Sequence, residues 1–254
     1  MVNITFTFPT RGRSRFIPAF FRNIAGTLEN PETVEIIIQY DVDDTATQRS
    51  LEEQRMEYPS LPVKVIPRVR GTNLNDHYNN WLVYNKIYKG KYFWVGGDDL
   101  RILTPGWDRI IPQTIENYLR DKPDRICCAF PIDKSINKPP KPFEWGWFPI
   151  LTRETIDVLG FFFPKEMATW GADVVLADIF NDPRINRSLP IRDVIVDHIG
   201  YHAYDMPKDE IAHSMSKRFS ETMSTSNAYR KTLIEHDKGI IQDAIRRMGA
   251  RAPV

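Results

Sequence analysis

Two adjacent aspartates, Asp98 and Asp99, close an apolar run that passes through two glycines, Tyr92-Phe93-Trp94-Val95-Gly96-Gly97. Carboxylates at the end of a buried strand are costly unless water, a metal ion or a cationic group meets them. A divalent metal carrying a diphosphate answers that need, because magnesium and manganese take hard oxygen ligands and keep waters and substrate phosphates in their shells. A solvated Gly-Asp-Asp bend is the simpler alternative, and the motif alone does not separate the two.

Two further strand ends are polar. Pro9-Thr10-Arg11-Gly12-Arg13 follows the first strand and Asp41-Val42-Asp43-Asp44 the second. In an open α/β sheet, ligands bind outside the carboxyl ends of the strands, so these residues outrank those inside the strands. Guanidinium groups there suit a diphosphate, although a solvated basic turn also accounts for Arg11 and Arg13. Asp44 reads as the N-cap of a helix that starts at Thr45.

The elements that must position these groups alternate between short apolar runs and amphipathic stretches, the pattern of an α/β domain with a largely parallel sheet. Strands are expected over Val2 to Phe8, Val34 to Gln39, Leu61 to Ile66, Lys91 to Val95, Arg125 to Phe130 and Ile191 to Val196. Helices are expected over Arg15 to Leu28, Gln48 to Tyr58, Leu74 to Tyr88, Arg153 to Leu159, Ala172 to Phe180 and Tyr229 to Arg247. Thr104-Pro105 reads as the start of one more helix, threonine as N-cap, running to about Leu119. The proline-rich and aromatic stretch from Ile132 to Pro149 reads as a substrate-side loop. The Ser, Thr and Met-rich stretch from His213 to Asn227 reads as a flexible linker.

Composition narrows the classes. The 254 residues, 42% of them hydrophobic, fill one large domain with a C-terminal appendage. With 34 basic and 33 acidic residues the net charge is +1, which gives no global pull toward nucleic acid or an anionic membrane. No apolar run is long enough to span a membrane and the first residues lack a signal-peptide pattern, so a cytoplasmic protein is expected. Cys127 and Cys128 are neighbours in a strand-like run, where side chains alternate between faces, and read as buried apolar residues.

Taken in order, four landmarks between Val2 and about Tyr204 resemble a family 2 glycosyltransferase with the glycosyltransferase-A fold. They are Phe8-Pro9-Thr10-Arg11-Gly12-Arg13; the acidic strand end at Asp41; Gly71 through Asn79 followed by Gly90 to Asp99; and Ile150 to Glu154, Leu159-Gly160-Phe161 and Trp170 to Ala177. The resemblance implies a single Rossmann-like domain with a mixed, mostly parallel central sheet and a C-terminal helical extension. Residues 1–206 would form the catalytic domain, with 1–99 as its nucleotide-sugar-binding half and 100–206 as its acceptor-side half; 207–254 would be a flexible segment and helix.

By the same resemblance, Thr10, Arg11 and Arg13 lie beside the nucleotide, and Asp41 hydrogen-bonds the base or ribose. Asp76 and Asn79 reach the nucleotide or are ordinary helix-surface residues. Asp99 is the primary metal ligand for Mn2+ or Mg2+, and Asp98 contacts the ribose or metal-bound water. Gly97 stands where the family more often has another aspartate, which leaves fewer carboxylates for the cation. Asp173 takes the place of the general base, with helix capping as its alternative; Ala172 replaces a frequent acidic neighbour. His198, preferred to His202, supplies a further metal ligand or is a structural histidine. Trp145, Trp147 and Trp170 line the acceptor side or anchor the core.

The activity implied is an inverting, metal-dependent transfer of a sugar from a nucleoside diphosphate sugar, in the first instance a UDP-sugar, to an acceptor hydroxyl. One alternative is a sugar nucleotidyltransferase, whose usual glycine-rich, lysine-bearing loop is not matched by Thr10-Arg11-Gly12-Arg13. The other is a non-catalytic nucleotide-sugar-binding module. The acceptor class is open; a hydroxylated base in DNA is a minority option that the net charge does not favour.

Overall fold

The computed structural model describes residues 1–134, 147–167, 171–199 and 227–249. The sequence expectations for His202, Trp145, Trp170, residues 135–146 of the proline-rich stretch and residues 213–226 lie outside the described residues.

Strands β1 (Ile4–Thr10), β2 (Val34–Asp41), β3 (Val63–Arg68) and β4 (Tyr92–Val95) form the parallel half of an eight-stranded sheet. The other half contains β5 (Leu100–Ile102), β6 (Cys128–Asp133), β7 (Ile150–Thr152) and β8 (Ser188–His198). The strand order is β3-β2-β1-β4-β7-β6-β8-β5. Here only β6 and β8 run parallel, while β4 with β7, β7 with β6, and β8 with β5 are antiparallel. The sheet is therefore mixed, as expected.

Helices cover both faces, each of which presents apolar side chains. In β1, Ile4, Phe6 and Phe8 face α1 (Ile17–Thr27), α2 (Thr45–Glu57) and α4 (Trp107–Tyr118). The opposite face packs on α3 (Trp81–Tyr84), α5 (Arg153–Leu159), α6 (Ala172–Phe180) and α7 (Asn227–Gly249). In β4 the period of two sends Tyr92 and Trp94 to the first layer, and Phe93 and Val95 to the second. Phe6 meets Trp94 edge-on at 4.9 Å, and Trp94 meets Trp107 at 5.4 Å. Burying each such ring stabilises the fold by roughly 3 kcal/mol, so the base of the acidic strand end is rigid.

Cys127 and Cys128 divide between the two layers, free and buried, and burial pushes both thiols up. Both are inert packing groups. α7 is docked rather than detached: Ile234 and Ile241 are buried in the second layer, and Lys238 Nζ lies 2.8 Å from Asp182 Oδ2. No helix among the described residues is long and apolar enough to cross a membrane.

Four expectations shift. α4 begins at Trp107 with Gly106 as its cap (φ 71°), not at Thr104, because the Thr104 hydroxyl instead accepts from the Ile195 amide at 2.9 Å. The helix expected to reach Tyr88 ends at Tyr84; its first turn, Asn75–Asn80, is π-helical, and Lys86 follows in a left-handed conformation. β6 starts at Cys128 rather than Arg125, since Arg125 has a φ of 53° after a turn in which Asp124 accepts from the Ile126 amide. Strands β5 and β7, three residues each, were not anticipated.

Candidate active site

The carboxyl ends of β1, β2 and β4 lie side by side, so residues far apart in sequence meet there. Between Arg11 and Arg13, Gly12 turns the chain with a φ of 65°. The two guanidinium groups consequently reach different carboxylates. Arg11 Nη1 donates to Asp41 Oδ2 at 2.8 Å and also pairs with Asp43, while the Gly12 amide donates to Asp44. Arg13 Nη2 donates to Asp99 Oδ2 at 2.6 Å, and its Nη1 lies 3.1 Å from Asp98 Oδ1.

Asp98 and Asp99 are 4% and 7% exposed. The Thr10 hydroxyl donates to Asp98 Oδ2 at 2.6 Å. Burial raises Asp98 above the ordinary carboxylate range, with Arg13 opposing and the neighbouring Asp99 charge adding to the rise. Asp99 goes the other way: burial pushes it up, but His198 and Arg13 together hold it well below that range. Of the pair, Asp99 is thus the firmer anion. Gly97 has a steric reason, because a Cβ there would stand 2.7 Å from Asp99 Oδ1.

His198 arrives through β5. The antiparallel register sets Leu100 opposite His198, and the Ile199 amide donates to the Asp99 carbonyl at 3.0 Å. His198 Nε2 then lies 3.5 Å from Asp99 Oδ2, with Phe148 edge-on at 5.0 Å and Trp147 at 6.2 Å. Burial lowers the His198 pKa, but Asp99 and Asp133 outweigh it and the net shift is upward.

Asp41, 2% exposed, already has both oxygens engaged: Arg11 on one, and the Tyr78 hydroxyl, which donates to Oδ1, on the other. In this arrangement it orients Arg11 and Tyr78. Asp44 caps α2, its side chain accepting from the Thr47 amide. Asn79 donates to Asn75 at 3.2 Å, and Asp76 accepts from the Tyr84 hydroxyl. Around them Asn73, Asn75 and Asn80 bind the backbone of 162–167, Asn80 through three hydrogen bonds to Phe162 and Phe163.

Asp173 lies in the first turn of α6, half-buried, and its Oδ1 accepts from the Val174 amide at 2.9 Å. Burial pushes it up to about 6, against the backbone hydrogen bonds and the charge of His198. It faces the same end of the sheet but is not bonded to the Arg13-Asp98-Asp99-His198 cluster. Asp133, Tyr78 and Phe148 escaped the sequence reading. Asp133 ends β6 and was open to the strand-end rule; the other two carry no local signal.

A divalent cation fits this donor set in part. Asp98 Oδ1 is buried and accepts no hydrogen bond, and Asp99 Oδ2 with His198 Nε2 offers a converging oxygen and nitrogen. Among the described residues no three His, Cys, Asp or Glu side chains gather to hold a metal on their own. Phosphate oxygens and water would have to complete the shell, as is usual for such cations.

No protein-family model matches the sequence, and no characterised protein matches it by sequence comparison. Solved structures do. The mannosyltransferase PcManGT from Pyrobaculum calidifontis, in complex with GDP-Man and Mn2+, aligns over 99% of this chain and 76% of its own, with 14% identity and a TM-score of 0.60. S. aureus TarS 1-349 in complex with UDP-GlcNAc aligns over 92% and 70%, with 13% identity and a TM-score of 0.59. GalNAc-T7 with UDP, GalNAc and Mn2+ aligns over 78% of this chain but 44% of its own, at 12% identity and a TM-score of 0.57. The fold the sequence landmarks implied is the fold observed: the chain is a single α/β domain with the glycosyltransferase-A fold.

Proposed function

We propose that the protein is an inverting, metal-dependent glycosyltransferase that moves a sugar from a nucleoside diphosphate sugar, a UDP-sugar first, to an acceptor hydroxyl. The observation that carries this reading is the convergence of Arg13, Asp98, Asp99 and His198 at the carboxyl ends of β1, β4 and β8 in a glycosyltransferase-A fold. The solved structures it aligns with hold GDP-Man, UDP-GlcNAc, or UDP with GalNAc, two of them with Mn2+.

Asp99 and His198 would hold Mn2+ or Mg2+, which supplies Lewis-acid stabilisation of charge on the leaving diphosphate. Thr10 keeps Asp98 in place and Asp41 keeps Arg11 in place, so the donor side is set before substrate arrives. Asp173 takes the proton of the acceptor hydroxyl at its carboxylate as that oxygen bonds the anomeric carbon. The bond from that carbon to the diphosphate oxygen breaks on the opposite face, giving inversion. A carboxyl pushed up to about 6 is matched to proton abstraction near neutral pH. Trp147 and Phe148 bound the site beside His198.

The test is thermal unfolding of the protein with UDP or GDP, each with and without Mn2+, followed by assay of donor-sugar hydrolysis. The expected result is a nucleotide shift that requires metal and vanishes in Asp99→Ala. Pyrophosphate release from a nucleoside triphosphate would instead establish a nucleotidyltransferase, and metal-linked binding without hydrolysis a binding module.

A further inference from the structure

Among the described residues Arg13 is the one guanidinium that bridges the acidic pair, and its placement bears on how a metal enters. It pairs with Asp98 at 3.1 Å and Asp99 at 2.6 Å, while its guanidinium lies 4.6 Å from the Phe16 ring centroid. Its side chain is 32% exposed, so it reaches both the buried carboxylates and solvent. Arg11 cannot exchange roles with it, being held by Asp41 and Asp43. A dication arriving at Asp99 therefore meets a fixed positive charge on the same oxygen that it must bind.

Resting on the transferase reading above, we propose that Arg13 is the internal counter-ion of Asp98 and Asp99 in the free protein, and that only a metal bound together with a diphosphate displaces it. The diphosphate supplies what the bare ion lacks, a fork-shaped anionic partner onto which the guanidinium can turn. Once turned, Arg13 neutralises the leaving diphosphate. Free metal binds weakly, nucleotide alone binds weakly, and the two bind as a unit. The arrangement makes Arg13 a positioning residue that sets binding order.

The experiment follows the electron paramagnetic resonance signal of free Mn2+ as it is titrated into the full-length protein with and without UDP, and with GDP as second probe. In the wild type, the nucleotide is expected to tighten Mn2+ binding by at least about a hundredfold. In Arg13→Gln, Mn2+ alone binds about tenfold more tightly than in the wild type, because the competing charge is gone, and the nucleotide effect shrinks to about tenfold or less. Arg13→Lys, which keeps the charge, retains weak binding of the bare ion. Wild-type protein that takes up free Mn2+ as tightly as Arg13→Gln does overturns the inference and leaves the transferase reading standing. No response of the wild type to any nucleoside diphosphate with metal removes both. Should Arg13→Gln fail to fold for want of a counter-charge, the wild-type titration decides: equal Mn2+ affinity with and without nucleotide overturns the proposal.

Discussion

On the proposed reading, the donor side and the acceptor side of the site hold their carboxylates by different means. At the ends of β1, β2 and β4 each acid is met by a partner: Asp41 by Arg11 and Tyr78, Asp98 by Thr10 and Arg13, Asp99 by Arg13 and His198. At the start of α6, Asp173 has backbone amides and the distant charge of His198, and burial alone dominates it. Among the paired acids Asp99 is held as the anion by His198 and Arg13, while Asp98 is raised by burial in spite of Arg13; Asp173, half-buried and bonded only to backbone amides, is pushed up to about 6. Under the proposed function, the contrast between Asp99 and Asp173 is the one a reaction needs when one carboxylate serves the diphosphate and the other moves a proton.

The largest expected effects separate the two means. Asp99→Ala removes the firm anion and should lower donor turnover by about a thousandfold, together with all metal-linked stabilisation. Asp173→Asn should lower transfer by about a hundredfold to ten-thousandfold while leaving metal-linked nucleotide binding intact. The sign of pH-dependent stability should also differ. Asp173, raised to about 6, contributes stability that is complete below its ordinary value near 4 and is lost as pH rises through 6. Asp99 is lowered, so its contribution is present above its ordinary value and is lost only as pH falls into the acid range. Urea unfolding between pH 4 and 7 should therefore become flatter in Asp173→Asn, with a neutral-pH melting temperature at or above that of the wild type. A catalytic loss in Asp173→Asn accompanied by lost nucleotide binding would erase the division.

A mid-sized effect tests whether the donor side is a single interlocked unit. Asp41→Asn leaves Arg11 short of a charge partner and Tyr78 facing an amide, and should cost about 3 kcal/mol in urea unfolding. Asp43→Asn, whose partner is the exposed face of the same Arg11, should cost well under about 1 kcal/mol. Equal costs would mean that burial under Arg11 does not matter.

How much of this was open to the sequence depended on the distance over which each residue finds its partner. The parallel half of the sheet was legible because β1, β2 and β4 are apolar runs between amphipathic helices, and Asp98-Asp99 stood out as a polar end to such a run. Asp44 as the cap of α2 was legible for the same local reason. What determines Arg13 lies 85 and 86 residues away, and what brings His198 to Asp99 is the three-residue strand β5, too short to show a period. The sequence offers Asn79 as a nucleotide contact or a helix-surface residue; in the structure it is buried in a π-helical turn, its amide donating to Asn75, while Asn75 and Asn80 bind the backbone of 162–167. That purpose depends on the partner segment, which no local pattern records. Asp173 was legible in position but not in character, since its raised pKa comes from what covers it.

A tenfold effect on binding bears on why this chain has glycine at 97. Pattern alone suggests that Gly97→Asp would restore a carboxylate and tighten metal binding. Geometry argues the reverse. A Cβ at 97 would stand 2.7 Å from Asp99 Oδ1, and in the free protein the other oxygen of that carboxylate meets Arg13 at 2.6 Å and His198 at 3.5 Å, so any turn that clears the Cβ displaces the oxygen the metal would bind. The added carboxylate would also place a third negative charge beside two acids that share one guanidinium, pushing Asp98 further toward its neutral form. Gly97→Asp should therefore weaken Mn2+-linked UDP binding by about tenfold, near 1.4 kcal/mol, with Gly97→Ala losing a similar amount from the steric part alone. Tighter binding in Gly97→Asp would mean that Asp99 yields to its neighbour, and that the donor side is less rigidly interlocked than its hydrogen bonds imply.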